Sequence, residues 1–214
     1  MSKLGNLLSY DCERVLSHFP NVAFNVVAIA ASAGGQKALS EILSVLPKDF
    51  PAAIIVVQHL SPHRPSLLAK ILNRRTALQV KQAEYGEILR PATVYVAVPN
   101  HHLLVEENGR LSLKEGAKVS FACPSANVLF QSVATSYKGR AIAIVLTGLG
   151  SDGAIGVTQI KKHGGTTIAQ DKTTADFFGM PKAAIETGKV DFVLPVNAIA
   201  STLINLLMAA KVVA

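Results

Sequence analysis

Short apolar runs, separated by polar turns and by segments of helical spacing, dominate the hydrophobic pattern of this 214-residue chain. Unbroken runs of Val, Ile and Ala predict strands at 24–31, 52–57 and 140–146. Strands that lack polar alternation are typical of sheets buried on both faces. The pattern therefore predicts a sheet that is covered on both sides.

The intervals between these runs carry apolar residues at helical spacing. Helices are predicted at 36–46, 65–73, 124–137, a stretch ending near 163, and 196–210. Further strands are predicted at 92–98 and 166–170, and one helix and one strand precede the C-terminal helix. This alternation predicts an α/β fold with a doubly wound, mostly parallel sheet and flanking helices in three layers.

One segment departs from the alternating pattern. Leu103-Leu104-Val105 and Leu111-Ser112-Leu113 flank Asn108-Gly109, a dipeptide that favours a two-residue hairpin turn. A small antiparallel hairpin is therefore expected beside the main sheet.

Composition bounds the class of protein. With 50% apolar residues, 24–214 can bury one large core as a single domain, preceded by a lead-in segment at 1–23. No apolar stretch reaches the roughly 18 residues of a membrane span and no secretory signal is recognisable, so a cytoplasmic location is expected. Cys12 and Cys123 belong to no metal-binding pair. The net charge of +7 is scattered, which argues against nucleic-acid binding but suits an acidic partner.

Three polar residues lie in the turns that follow predicted strands. Ser32 follows the first strand, His59 the second, and Asp152 the strand at 140–146. The carboxyl ends of strands in an open α/β sheet form its ligand-binding edge. A serine needs a base, and the imidazole needs a carboxylate to fix its tautomer, so these residues predict a nucleophile, a general base and an orienting group. Backbone N–H groups of Ala33 and Leu149, in the neighbouring glycine-rich turns, are the predicted oxyanion donors.

Each of these residues also has a purely structural interpretation. Ser32 and Asp152 are common helix-capping types, and His59 is compatible with an ordinary loop histidine. Residues 148–153 match G-x-G-x-x-G, the spacing of a dinucleotide site, but Asp152 would then bring a carboxylate to the seat of the pyrophosphate. His59 and His63 have zinc-ligand spacing, which the proline between them argues against. His102 and Met180 are candidates for lining the substrate cleft, with surface exposure or core packing as the alternatives.

Several motifs resemble those of the catalytic domain of the chemotaxis protein-glutamate methylesterase (CheB) family. The similar stretches are Ala31-Ser32-Ala33-Gly34-Gly35, Val57-Gln58-His59, Leu146 to Ala154, Pro99 to Leu103, Pro124-Ser125-Ala126-Asn127, Ala169-Gln170-Asp171 and Gly179 to Ala184. The resemblance extends from about Val26 to Leu206. It implies a serine hydrolase that needs no cofactor and removes methyl esters from glutamates of chemoreceptor cytoplasmic helices. Many members also deamidate receptor glutamines.

The resemblance implies that Ser32 is the nucleophile, His59 the base and Asp152 its orienter. The family often has threonine at Ala33, methionine at Leu149, arginine at Cys123 and aspartate at Asn127; the last two differences are expected to affect how substrate is presented. Members usually carry an N-terminal receiver domain, for which the residues before the first strand are too few. A non-catalytic binding module on the same fold is the second hypothesis, and the oligomeric state is left open.

Overall fold

A computed structural model describes residues 24–59 and 66–208. The strands in these ranges are β1 (Asn25–Ala31), β2 (Ala52–Gln58), β3 (Gln79–Gln82), β4 (Thr93–Val96), β5 (His102–Val105), β6 (Leu111–Lys114), β7 (Ala141–Val145), β8 (Thr166–Gln170) and β9 (Phe192–Leu194). The α-helices are α1 (Gly35–Val45), α2 (Leu68–Asn73), α3 (Ala126–Tyr137), α4 (Ala154–Lys162), α5 (Gly179–Glu186) and α6 (Val196–Met208).

Seven of these strands form one sheet in the order β3-β4-β2-β1-β7-β8-β9, and every neighbouring pair is parallel. The chain leaves β1 towards β2 on one side and returns to β7 on the other. The strand order therefore reverses between β1 and β7, which is where open α/β sheets bind ligands. The predicted doubly wound α/β fold is confirmed.

Alternation along β1 explains the three layers. Val26, Ala28 and Ala30 face a core shared with α3, α4 and α5, whereas Val27 and Ile29 face a core shared with α1, α2 and α6. All five side chains are fully buried, as the unbroken apolar run predicts. Packing on both faces leaves the ends of the strands as the places where polar side chains meet.

The hairpin β5–β6 forms as predicted, but its turn differs from the prediction. Glu106 and Arg110 close a three-residue loop, in which the Gly109 N–H donates to the Glu106 carbonyl at 2.9 Å. Gly109 has φ 77°, while Asn108 lacks the positive φ that a two-residue type I′ turn requires. The Asn108 side chain instead accepts the Arg110 N–H at 2.9 Å. The prediction of a two-residue turn was therefore wrong.

One strand and one helix boundary differ from the sequence-based prediction. The edge strand β3 was not predicted, because only Val80 of its four residues is buried. The helix predicted at 65–73 is seen as α2, which begins at Leu68; Pro65 and His63 lie outside the described residues, as does the lead-in at 1–23. None of the described helices is both long and apolar enough to span a bilayer.

Candidate active site

Ser32 and His59 lie side by side at the carboxyl edge of the sheet. Ala31 and Gln58 are partners in the β1–β2 register, so the next residue of each strand is one of this pair. The backbone N–H of His59 donates to the Ala31 carbonyl at 3.0 Å, which holds the His59 backbone against the end of β1. Register pairing alone therefore brings the predicted nucleophile and base together.

The imidazole of His59 is held by Asp152. His59 Nε2 lies 2.8 Å from Asp152 Oδ2, with the imidazole 19% exposed and the carboxylate 2% exposed. An ionised carboxylate only accepts, so Nε2 carries the proton and Nδ1 of the neutral ring is the acceptor. Nδ1 is thus the nitrogen that is available to accept a proton from a nucleophilic hydroxyl. Among the described residues, the Ser32 hydroxyl has no hydrogen bond to this ring, as is common before substrate binds.

The Asp152 carboxylate accepts four hydrogen bonds. Oδ2 takes the Ala126 N–H at 2.7 Å besides His59, and Oδ1 takes the Ser125 hydroxyl at 2.8 Å and the Asn127 N–H at 3.1 Å. Burial raises the pKa of Asp152, but these hydrogen bonds outweigh it and hold the pKa below the ordinary 3.8. The two backbone donors open α3, whose N-terminal dipole also favours an anion. Asp152 therefore stays ionised against the imidazole.

Asp152 caps α3 and not the helix that follows it. The N-terminus of α4 is capped by Asn127, whose Oδ1 accepts the Gly153 N–H at 3.0 Å and the Gly156 N–H at 2.8 Å. The structural interpretation of Asp152 as a cap of the helix that follows it is therefore wrong. The same arrangement weighs against a dinucleotide site, because two of the amides at the start of α4 are already bonded to Asn127 and a buried carboxylate lies beside them.

The turn after Ser32 is a tight one that requires glycine. Gly35 N–H donates to the Ser32 carbonyl at 2.9 Å, and Gly34 has φ 79° and ψ −9°, the values of the third position of a type II turn. Ala33 N–H has no acceptor among the described residues. It is free to donate to a ligand beside Ser32.

A second free amide lies across the edge. The Gly148 carbonyl accepts the Met180 N–H at 2.9 Å, and the Leu149 N–H of the same peptide has no acceptor in the described part of the chain. A Cβ built on Gly148 would come within 2.7 Å of Ser32 Cβ, so the Gly148 turn lies directly against the serine. Both predicted oxyanion donors are thus unengaged amides, one in the Ser32 turn itself and one in the turn packed beside it.

One protein family matches most of this chain. Residues 27–203 match the family described as CheB methylesterase. The chain belongs to the CheB methylesterase family. The resemblance seen in the motifs is therefore confirmed over most of the described residues.

Individual members of the CheB family are similar over the same region. A Thermotoga maritima protein named protein-glutamate methylesterase/protein-glutamine glutaminase is 42% identical over 190 residues, covering 87% of this chain and 55% of that protein. Protein-glutamate methylesterase FrzG of Myxococcus xanthus is 41% identical over 186 residues, covering 87% and 56%. The chain thus spans about half the length of these curated relatives. The crystal structure of the Thermotoga maritima CheB methylesterase catalytic domain matches with a TM-score of 0.84 at 41% identity, over 87% of this chain and 100% of that one.

The two predicted cleft residues are buried in this member of the CheB family. His102 is 6% exposed; its Nδ1 accepts the Ser125 N–H at 3.3 Å and its Nε2 donates to the Ala117 carbonyl at 3.0 Å. Met180 is 0% exposed and packs against Gly148. Neither side chain lines an open cleft. His102 instead holds Ser125, and Met180 supports the turn that carries the Leu149 amide.

The residues at which this chain departs from the CheB pattern have clear positions. Asn127 is buried and also donates from Nδ2 to the Ser120 hydroxyl at 3.1 Å. It therefore connects the segment at Ser120 to the start of α4. The placement does not support a direct part in presenting substrate. Cys123 is a free, half-buried thiol whose pKa is raised by burial, against a smaller opposing effect of Lys118. No group of three or more metal-binding side chains occurs among the described residues.

The sequence did not predict two residues that hold the backbone of Ser32 and Ala33 through hydrogen bonds. Thr147 is 1% exposed; its carbonyl accepts the Ser32 N–H at 3.0 Å and its hydroxyl donates to the Ala33 carbonyl at 2.9 Å. Gln58 donates from Nε2 to the Ser32 carbonyl at 2.6 Å. A usable signal was present in each case, since both are polar residues at the end of an otherwise apolar strand.

Proposed function

We propose that this chain is a serine hydrolase that cleaves glutamate methyl esters on a protein, with Ser32 as nucleophile, His59 as base and Asp152 as the orienting carboxylate. One observation carries the proposal. Asp152 engages Nε2 of His59 and leaves Nδ1 without a partner among the described residues, and His59 follows the strand beside that of Ser32, whose own turn and the turn packed against it each hold an unengaged amide. This arrangement provides a proton acceptor and an anion-binding site at one serine.

The reaction follows two balanced steps. Ser32 Oγ attacks the ester carbonyl carbon while its proton passes to His59 Nδ1, and the resulting oxyanion accepts from the Ala33 and Leu149 N–H groups. Collapse breaks the bond to the methoxy group, which takes the proton from His59 and leaves as methanol. Water then attacks the acyl-enzyme while its proton passes to His59; the bond to Ser32 Oγ breaks, His59 returns the proton to Oγ, and the glutamate is released as its carboxylate. A primary amide in place of the ester would release ammonia by the same course.

The relatives' names and the charge of the chain support the substrate class. Names of relatives include both protein-glutamate methylesterase and protein-glutamine glutaminase activities. A net charge of +7 attracts acidic partners, and removal of each methyl group adds one negative charge to the product. We therefore propose methylated cytoplasmic helices of a chemoreceptor as substrate, and a cytoplasmic location. No cofactor or metal is required by this chemistry.

An exposed aromatic finger beside the site supports a macromolecular substrate. Val119 and Ala122 exchange backbone hydrogen bonds of 3.0 Å around Ser120 and Phe121, which have φ 50° and 63°. Phe121 at its tip is 97% exposed. Ser120 is bonded to Asn127, so the finger is joined to the residue that caps α4. A bulky side chain held out in a strained turn is typical of a functional contact.

The test uses the chain as it stands. Wild type should release methanol from a methylated receptor and should hydrolyse a generic aryl ester, and a serine-directed fluorophosphonate should label Ser32. Ser32→Ala should abolish labelling and turnover, whereas Ser40→Ala should retain both, because Ser40 only bonds its own helix at the Gln36 carbonyl. Equal turnover by wild type and Ser32→Ala would overturn the proposal, and absence of labelling and turnover in wild type would favour the binding-module alternative.

A further inference from the structure

Gln58 is the polar end of an otherwise apolar strand. The other residues of β2 are Ala, Ile and Val. Although Gln58 is polar, it is buried like them and is only 7% exposed. Its Nε2 donates to the Ser32 carbonyl at 2.6 Å and, more weakly, to the His59 carbonyl at 3.4 Å. A single buried amide therefore joins the backbone of the proposed nucleophile to that of the proposed base.

The bond to Ser32 also controls the next amide. The Ser32 carbonyl accepts from both Gln58 Nε2 and the Gly35 N–H. A trans peptide is planar, and its C=O and N–H point in opposite directions. Two donors on the Ser32 carbonyl therefore fix the direction of the Ala33 N–H, which is the unengaged amide proposed to bind the oxyanion.

The other end of the Gln58 amide is left unpaired. Oε1 is buried and has no hydrogen-bond partner among the described residues. Such orphan acceptors are rare and unfavourable. Reversing the amide would bring Oε1 against the Ser32 carbonyl, where two acceptors repel, so the orientation is set by Ser32. Gly35 makes room for this end of the amide, because a Cβ there would collide with Oε1.

We propose that Gln58 is a positioning residue for the oxyanion site: its amide fixes the Ser32–Ala33 peptide so that the Ala33 N–H meets the developing anion. The role rests on the proposed hydrolase function. Gln58 touches neither the substrate nor the reacting atoms. Its contribution belongs to the transition state, because the carbonyl oxygen of the substrate carries little charge before attack.

The deciding experiment compares wild type with Gln58→Met, which keeps the length of the side chain and loses the hydrogen-bond donor. With an aryl ester, kcat should fall by about tenfold to a hundredfold while KM changes by less than about twofold. Inhibition by a trifluoromethyl ketone, whose adduct carries the same oxyanion, should weaken by a similar factor. The midpoint of the pH profile of kcat/KM should stay in place, because the bond between His59 and Asp152 is untouched.

Thr167→Val is the matched control. Thr167 is fully buried and donates to the Lys189 carbonyl at 2.6 Å, remote from Ser32, so its loss tests general destabilisation. The control should retain the wild-type kcat even where its melting temperature falls as far as that of Gln58→Met. An unchanged kcat in Gln58→Met, or an equal loss in both variants, would overturn the positioning role alone. An inactive, unlabelled wild type would overturn the proposed function and this role with it.

Discussion

Asp152 caps α3, the helix that contains Asn127, and Asn127 caps α4, the helix that follows Asp152. The Asp152 carboxylate accepts the first amides of α3, and the Asn127 side chain, from the first turn of α3, accepts the Gly153 and Gly156 amides of α4. Both side chains are buried. The carboxylate bonded to His59 is therefore also the cap of α3.

This reciprocity predicts the effect of changing Asn127. Asn127→Leu removes the acceptor for two buried amides and should lower the free energy of unfolding by about 1–3 kcal/mol. Asn127→Asp keeps an acceptor oxygen at the same place and should retain most of the stability at neutral pH. Urea denaturation of the three proteins checks this, and equal stability of the leucine variant and wild type would contradict it.

The lowered pKa of Asp152 predicts a specific acid sensitivity. Its folded-state pKa lies below 3.8, so the stability it contributes is fully present above the unfolded-state pKa and is lost as the pH falls through the folded-state pKa. The difference in unfolding free energy between wild type and Asp152→Asn should be constant above about pH 5 and should shrink below about pH 4. Asp171, whose pKa is also lowered, is present in both proteins and cancels. A difference that grows towards low pH would have the wrong sign.

Gly35 is predicted to be required for the shape of the site. A Cβ at this position would lie 2.6 Å from Ala31 Cβ and would collide with Gln58 Oε1. Gly35→Ala should destabilise the protein by about 1–3 kcal/mol through overpacking and should lower kcat by displacing Gln58. In a double-mutant cycle, the cost of Gly35→Ala should be smaller in the Gln58→Ala background. Strict additivity would show that the collision with Gln58 is unimportant.

Phe121 is predicted to discriminate between protein and small substrates. Because its side chain is 97% exposed, Phe121→Ala should leave stability and aryl-ester hydrolysis unchanged. With methylated receptor, kcat/KM should fall by about tenfold, the effect of one aromatic contact of roughly 1.4 kcal/mol. Tyr85→Ala, also exposed but located at the β3 edge of the sheet, is the control. Equal loss on both substrates would place Phe121 in the catalytic machinery and contradict the prediction.

The fold was largely predictable because burial on both sides leaves a direct trace in the sequence. Strands such as β1 and β2 contain no exposed position, so their apolar runs are continuous. The edge strand β3 lacks that trace because only Val80 is buried, and the hairpin turn depended on a register choice that Asn108-Gly109 alone does not specify. Prediction failed where burial was partial.

The residues of the candidate site were predictable for a related reason. Ser32 and His59 each follow an apolar strand, and parallel strands end at the same edge, so order along the chain was enough to place them together. The supporting contacts were not predictable in this way. His102 and Met180 were expected at the cleft, and the fold buries both of them behind it.

The sequence by itself determined the α/β sheet, the edge that holds Ser32, His59 and Asp152, and the family. These depend on hydrophobic periodicity and on short motifs, both of which are local. Only the tertiary structure decided that Asp152 caps α3, that Asn127 caps α4, and that Gln58 orients the Ser32 peptide. Those bonds join residues that are 25 to 29 positions apart. Which buried donor meets which acceptor depends on how helices and strands pack, and packing leaves no periodic trace in the chain.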